Sequence, residues 1–291
     1  MPEKIGPLVL KPTRSPRIWG VRSLEPWFDV KDLPEPVGEM WLTDETCVIE
    51  GGPHDGQTLR DIQPDFPLLM KVLFPADKLS VQVHPNDAEA QQVGEPRGKT
   101  ECWYVMSAEP GATVALGFKE AMALEDVRAA IEDGTLEDKM AHVPVKAGDM
   151  VFVDAGTVHA IEPGVIILET QEYSDITYRL FDYGRPRELH LERGLAVTKM
   201  KTQAGVVASR EVDGHTELVR SEYFVVDRMD VPTKLEHIGT MQIMVALNDG
   251  CELVDGDGAV TKLRKAHAVV LPAEDVSYSV RGVGQVIRVR Q

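Results

Sequence analysis

Apolar and polar residues alternate from Leu79 to His84, so a strand here turns Leu79, Val81 and Val83 to one face and Ser80, Gln82 and His84 to the other. Gln82 and His84 therefore point the same way. A second β-rich run, Lys99-Thr100-Glu101-Cys102-Trp103-Tyr104-Val105, puts Lys99 and Glu101 together on one face by the same period of two. Further on, Gly156-Thr157-Val158-His159 follows the apolar run Met150–Val153 and reads as a turn entering a new strand. Two imidazoles, one carboxylate and one amide oxygen form a borderline nitrogen–oxygen donor set suited to zinc and open also to manganese, iron or cobalt. A lone strand histidine is usually just a polar residue. The shared face of several donor types is what points to a metal.

The rest of the pattern predicts strands with a few short helices. Residues 68–74 are apolar apart from Lys71 and read as a buried strand between Pro67 and Pro75. Asn86 is placed to cap a short helix, which Gly94, Pro96 and Gly98 then break. Leu124, Val127 and Ile131 recur at i, i+3 and i+7, predicting a packing helix within residues 120–133 that stops at Gly134. Residues 141–145 read as a strand in which His142 is an ordinary polar residue. From Val165 a buried strand runs into Glu169, and a polar turn then leads to a strand carrying Arg179. Read as a hairpin, this brings Glu169 and Arg179 within reach of each other. Residues 188–200 read as a helix joining two β modules. The first 60 residues are rich in proline and turn residues, predicting strands and loops. Trp19 and Trp41 in this region either wall a pocket or pack a core.

The second half weakly repeats the grammar of the first. Residues 268–273 match residues 150–155 at an offset of 118, which puts Ser277 where the first half has His159. No Gln-x-His pair recurs there. The expectation is two β-barrel repeats, a metal-binding unit over residues 1–200 and a degenerate unit without metal ligands over 201–291.

Composition narrows the possible partners. A chain of 291 residues, 43% apolar and 27% charged, can bury a full core. With 47 acidic against 31 basic residues its net charge of −16 opposes binding to nucleic acid or an anionic membrane, and an anionic ligand needs a local cationic pocket. No apolar run reaches the roughly 18 residues that span a bilayer, and Met1-Pro2-Glu3-Lys4 lacks the apolar core of a signal peptide, so the expected location is cytoplasmic. Cys47, Cys102 and Cys251 are widely spaced and imply no disulfide framework.

The pattern Gly148-x5-Asp154-x-Gly156-x2-His159 resembles the second motif of the cupin superfamily, with Asp154 where proline is usual and no asparagine after the histidine. Together, Gln82-Val83-His84, Gly98-Lys99-Thr100-Glu101, Gly156-Thr157-Val158-His159-Ala160 and Ser174-Asp175-Ile176-Thr177-Tyr178-Arg179 are similar to type I mannose-6-phosphate isomerases, in the short form without an inserted helical domain. The resemblance implies an all-β dominated bicupin of cupin-like jelly-roll barrels, with zinc held by Gln82, His84, Glu101 and His159. It further implies interconversion of mannose 6-phosphate and fructose 6-phosphate through an enediolate. By position, Arg179 falls on the family's catalytic arginine, Glu169 on a pocket carboxylate fit to carry the proton, and Arg185 on a substrate-binding position that is often lysine. Lys99, beside Glu101, is expected to orient the substrate, with Trp19 and Ser80 lining its site. A monomer or homodimer acting on a small sugar phosphate is expected. A metal cupin for another sugar phosphate and a non-catalytic sugar-binding cupin are the alternatives.

Overall fold

The alternating runs pair into antiparallel sheets that build two barrels. The computed structural model describes residues 5–235, 239–274 and 276–291, and the stretch Met1–Lys4 lies outside the described residues. A seven-stranded sheet contains, in spatial order, Gly205–Val206, Met150–Val153, Glu101–Ala108, Val165–Glu172, Leu68–Leu73, Val37–Trp41 and Thr13–Val21. A five-stranded sheet runs Tyr178–Phe181, Val81–Val83, His159–Ile161, Thr113–Phe118 and Met140–Pro144. The two close over a shared core in which Trp103, Val151 and Ile167 from the first sheet meet Val114, Leu116 and Ile161 from the second. This is the first barrel.

Period two decides what each face meets. Val81 and Val83 turn outward, where they pack with Val127 and Ile131 of the helix Leu124–Glu132 and with Leu195 of the helix Leu191–Val197. Gln82, between them, is left facing the barrel interior. Both helices begin later than their sequence windows. The short helix Asp87–Gln91 carries the expected cap: the Asn86 side chain accepts from the Glu89 N–H at 2.9 Å, and the Glu89 carboxylate accepts from the Asn86 N–H at 2.8 Å.

The second barrel repeats the topology of the first. Glu101–Ala108 lies between Met150–Val153 and Val165–Glu172, and Gln242–Ala246 lies likewise between Ala268–Leu271 and Tyr278–Arg290. Sheet membership and chain order part company at two margins. The strand Leu8–Lys11 pairs with Ala268–Leu271 of the second barrel, while Gly205–Val206 joins the sheet of the first. Cys102, Leu168 and Met70 from the outer face of the seven-stranded sheet pack in one core with Val245, Val270 and Ile287 of the second barrel. All three cysteines are buried and free. No described helix is long and apolar enough to cross a membrane.

The expected hairpin over residues 165–181 is absent. Val165–Glu172 stays in the seven-stranded sheet, whereas Tyr178–Phe181 crosses to the five-stranded one, pairing with Val81–Val83. Glu169 and Arg179 thus belong to opposite walls of the barrel and line one cavity. The polar turn marks the crossing of the barrel mouth.

Candidate metal centre

Register assembles the ligand face. Arg179 lies opposite Gln82, which lies opposite His159, forming one row across the five-stranded sheet. On the facing sheet, Trp41, Lys71, Glu169 and Trp103 form a second row. Directly paired residues share a face, so both rows present their side chains together. Glu101 stands two residues before Trp103 on the same face.

Two glycines allow the approach. A Cβ on Gly98 would lie 2.4 Å from the Asn86 carbonyl carbon and 2.5 Å from the Pro85 oxygen, so a bare backbone is needed there. The loop then bonds Lys99 N–H to Pro85 O at 3.0 Å and brings Glu101 beside His84. Gly156, at φ +93°, donates its N–H to His84 O at 2.8 Å and starts the turn into His159.

His84, Glu101 and His159 are all buried, and one donor atom from each lies within 4.8 Å of the others. His84 Nδ1 lies 2.8 Å from Ile176 O and His159 Nδ1 2.9 Å from Thr157 O, so both Nδ1 atoms carry the proton. Their Nε2 atoms are therefore lone pairs, 3.7 and 3.3 Å from the Glu101 carboxylate oxygens. Burial holds the His84 pKa well below its ordinary value, aided by the Lys99 charge, and lowers that of His159 to about 4. Neither imidazole is protonated near neutral pH. Acceptors here face acceptors: His84 Nε2 and both Glu101 oxygens are buried without a hydrogen-bond partner. Each such orphan costs about 1–3 kcal/mol. A divalent cation resolves the conflict, and the donor set fits one.

Gln82 stands beside the cluster with its amide nitrogen turned inward. Its Nε2 lies 3.3 Å from His159 Nε2, and its Oε1 accepts from Ser80 Oγ at 3.3 Å. A half-turn of the amide would exchange the two atoms and direct Oε1 to the centre. Lys99 Nζ stands 3.7 Å from Glu101 Oε2.

Beside the centre is a cavity of about 390 Å³, which it meets at Gln82 and Lys99. Glu169, Arg179, Trp19 and Ser80 line it as well. Arg185 does not. Its Nη2 donates to Lys78 O at 2.5 Å, its Nε to Asp182 O at 3.3 Å, and its guanidinium lies over the Tyr183 ring at 5.1 Å.

Sequence reasoning missed five charged lining residues: Arg17, Glu39, Lys71, Asp175 and Arg187. Lys71 had a signal, a single charge in an apolar run. Its ammonium sits 3.0 Å from Asp175 Oδ1, 3.8 Å from Glu169 Oε1 and 4.9 Å above the Trp41 ring. Burial pulls the Lys71 pKa down, but Asp175, Glu39 and Glu169 outweigh it and hold the ammonium charged. Burial lifts Glu169 to about 7, reinforced by the Glu101 charge and opposed by Lys99 and Lys71.

A barrel interior with a buried His-Glu-His donor set, repeated in a second barrel without one among the described residues, defines a metal-binding bicupin. The family model for the catalytic domain of type I phosphomannose isomerase matches residues 52–122. The chain is 33% identical over 312 residues to a mannose-6-phosphate isomerase of Streptococcus mutans, with 97% of each chain covered. It is 35% identical over 253 residues to the mannose-6-phosphate isomerase ManA of Bacillus subtilis, covering 77% of this chain and 79% of that one. A crystal structure of mannose 6-phosphate isomerase from Bacillus subtilis matches with a TM-score of 0.87 at 29% identity, over 98% of this chain and 99% of that chain. The chain belongs to the type I mannose-6-phosphate isomerase family.

Proposed function

We propose that the protein interconverts mannose 6-phosphate and fructose 6-phosphate as a metal-dependent aldose–ketose isomerase. The observation carrying this reading is a buried carboxylate poised near neutral pH, Glu169, in one cavity with the open side of an unpartnered donor cluster. His84, Glu101, His159 and the Gln82 amide oxygen would hold a divalent cation, zinc by the character of the donors, which would supply Lewis acidity for the sugar's carbonyl and hydroxyl oxygens.

The chain's own groups do the rest. Glu169 takes the proton from C2 and returns it to C1, while the hydroxyl proton of O2 passes to O1. A pKa of about 7 suits a group that must do both. Lys71, 3.8 Å away, keeps that carboxyl from rising further. Lys99 orients the sugar oxygens next to Glu101, and Arg179 balances the negative charge of the enediolate. Trp19, buried at the cavity wall, and Ser80, which holds the Gln82 amide, shape the sugar site.

Turnover of mannose 6-phosphate in a coupled assay, with metal analysis on the same sample, tests the reading. Chelation should abolish turnover and one equivalent of zinc should restore it. Full activity in a metal-free sample would overturn it.

A further inference from the structure

Cationic side chains outnumber carboxylates five to three on the cavity lining, against a chain carrying a net −16. Three of the five are arginines that reach it from different places. Arg17 lies on the edge strand Thr13–Val21 of the seven-stranded sheet, Arg179 on Tyr178–Phe181 of the five-stranded one, and Arg187 in the segment that follows. Arg17 is held by Glu39, itself on the lining, through Nε at 3.2 Å and Nη2 at 3.0 Å, and its Nη1 donates to Pro16 O at 3.3 Å. Arg187 is held likewise by the buried Asp182, through Nε at 2.7 Å and Nη2 at 2.6 Å. Each fork engages one carboxylate along one edge and keeps further N–H groups free, since a guanidinium carries five. Both side chains remain accessible, at 30% and 25% exposure. Burial, and after it the charge of Arg187, with Arg17 adding to the effect, lowers the pKa of Arg179. With Glu39 already counted among the carboxylates, the lining keeps a cationic excess gathered from two sheets, a field that favours an anion in the cavity.

We propose that Arg17 and Arg187 are the anchors of the substrate's phosphate, and that Arg185, the residue expected there from its place in the chain, is a strut outside the site. The carboxylates bonded to the two arginines act as positioning residues that fix the forks in advance. The sugar's identity rests on the isomerase reading above, but the phosphate contact does not depend on turnover.

Binding of inorganic phosphate, fructose 6-phosphate and fructose to metal-stripped protein is measured by calorimetry, with kcat and KM taken on the zinc-loaded enzyme. Arg17→Gln and Arg187→Gln should each weaken phosphate and fructose 6-phosphate binding at least tenfold, leave fructose binding within twofold, and raise KM far more than they lower kcat. Arg187→Lys should recover part of the loss. Arg187→Gln combined with Asp182→Asn, which leaves no stranded carboxylate, should match the single variant and so separates lost anion binding from misfolding. Arg185→Gln should weaken phosphate binding less than either cavity variant. The proposal is overturned if both cavity variants bind phosphate within twofold of wild type, if fructose binding falls in parallel, or if Arg185→Gln has the largest effect. A wild-type protein that binds fructose 6-phosphate through these arginines but turns over no mannose 6-phosphate would sink the isomerase reading alone.

Discussion

Glu169 shows how one residue is tuned by its neighbours. Burial and the Glu101 charge raise its pKa, Lys99 and Lys71 oppose them, and the balance falls at about 7. As the proton acceptor it must be ionised in the free enzyme, so kcat/KM should climb with pH through about 7 and level off above it. Glu169→Gln should lower kcat by about 10²–10⁴-fold with metal content unchanged, and near wild-type turnover with zinc bound would remove Glu169 from the proton path. Lys71→Met withdraws a cation that lowers the Glu169 pKa, so the acid limb of the same profile should move to higher pH; an unmoved limb would show that Lys71 does not act on Glu169. Gln82, His84, Glu101 and His159 were legible in the sequence because short-range alternation alone sets the facing of the first three and a turn introduces the fourth. Arg17, Glu39 and Arg187 were not, since nothing local to each distinguishes an arginine on a cavity from one in solvent. Their shared cavity is created by the meeting of distant segments.

At the scale of elements, the strands carrying the ligands are placed by a short loop and its supports. Gly98 donates its N–H to Asp87 Oδ1 at 2.7 Å, and Thr100 donates to Glu172 Oε1 at 2.7 Å. Gly98→Ala must displace the loop from Pro85 and Asn86, carrying Lys99 and Glu101 with it. A loss of about 1–3 kcal/mol and weakened zinc binding should follow, read by thermal melting and by competition with a chromogenic chelator. Wild-type zinc affinity in that variant would show that the loop tolerates the shift. Glu172 adds a pH dependence. Burial raises its carboxyl from 4.5 to about 7 against the opposing Thr100 N–H, with the nearby Asp87 carboxylate adding to the rise. A folded pKa above the unfolded one means the native state holds the extra proton, so this contribution is present below 4.5 and is lost as pH rises through about 7. Glu172→Gln should therefore raise Tm at pH 8 by about 2–5 °C and leave it little changed at pH 4.5; a destabilised variant at pH 8 would mean the carboxylate is needed ionised. Helices and strands were largely legible at this scale. The 165–181 connection was misread because a polar turn between two strands has the same local chemistry whether the chain folds back within a sheet or crosses to another.

Over the whole molecule, the two barrels are joined more tightly than a linker would join them. The core that includes Cys102, Leu168 and Met70 also includes Val245, Val270 and Ile287. At its edge the fully buried Leu10 belongs to a strand paired with Val48–Ile49 on one side and Ala268–Leu271 on the other. The repeat offset made the second barrel legible. The swapped margins were not, because a strand of two to four residues carries no mark of which sheet it will join. This arrangement makes the second barrel part of the stability of the first. Leu10→Asp buries a carboxylate at that seam and should destabilise both together. Three of the four tryptophans, at 19, 41 and 103, lie on strands of the seven-stranded sheet, and Trp27 lies under Lys265 of the second barrel at 5.5 Å, so a Trp27→Phe background leaves a fluorescence signal from the first barrel, while far-UV circular dichroism reports both. In wild type and variant alike the two signals should share one denaturation midpoint, lowered in the variant. Were fluorescence to hold its wild-type midpoint while dichroism split into two steps, the first barrel would stand on its own and its dependence on the second would be refuted.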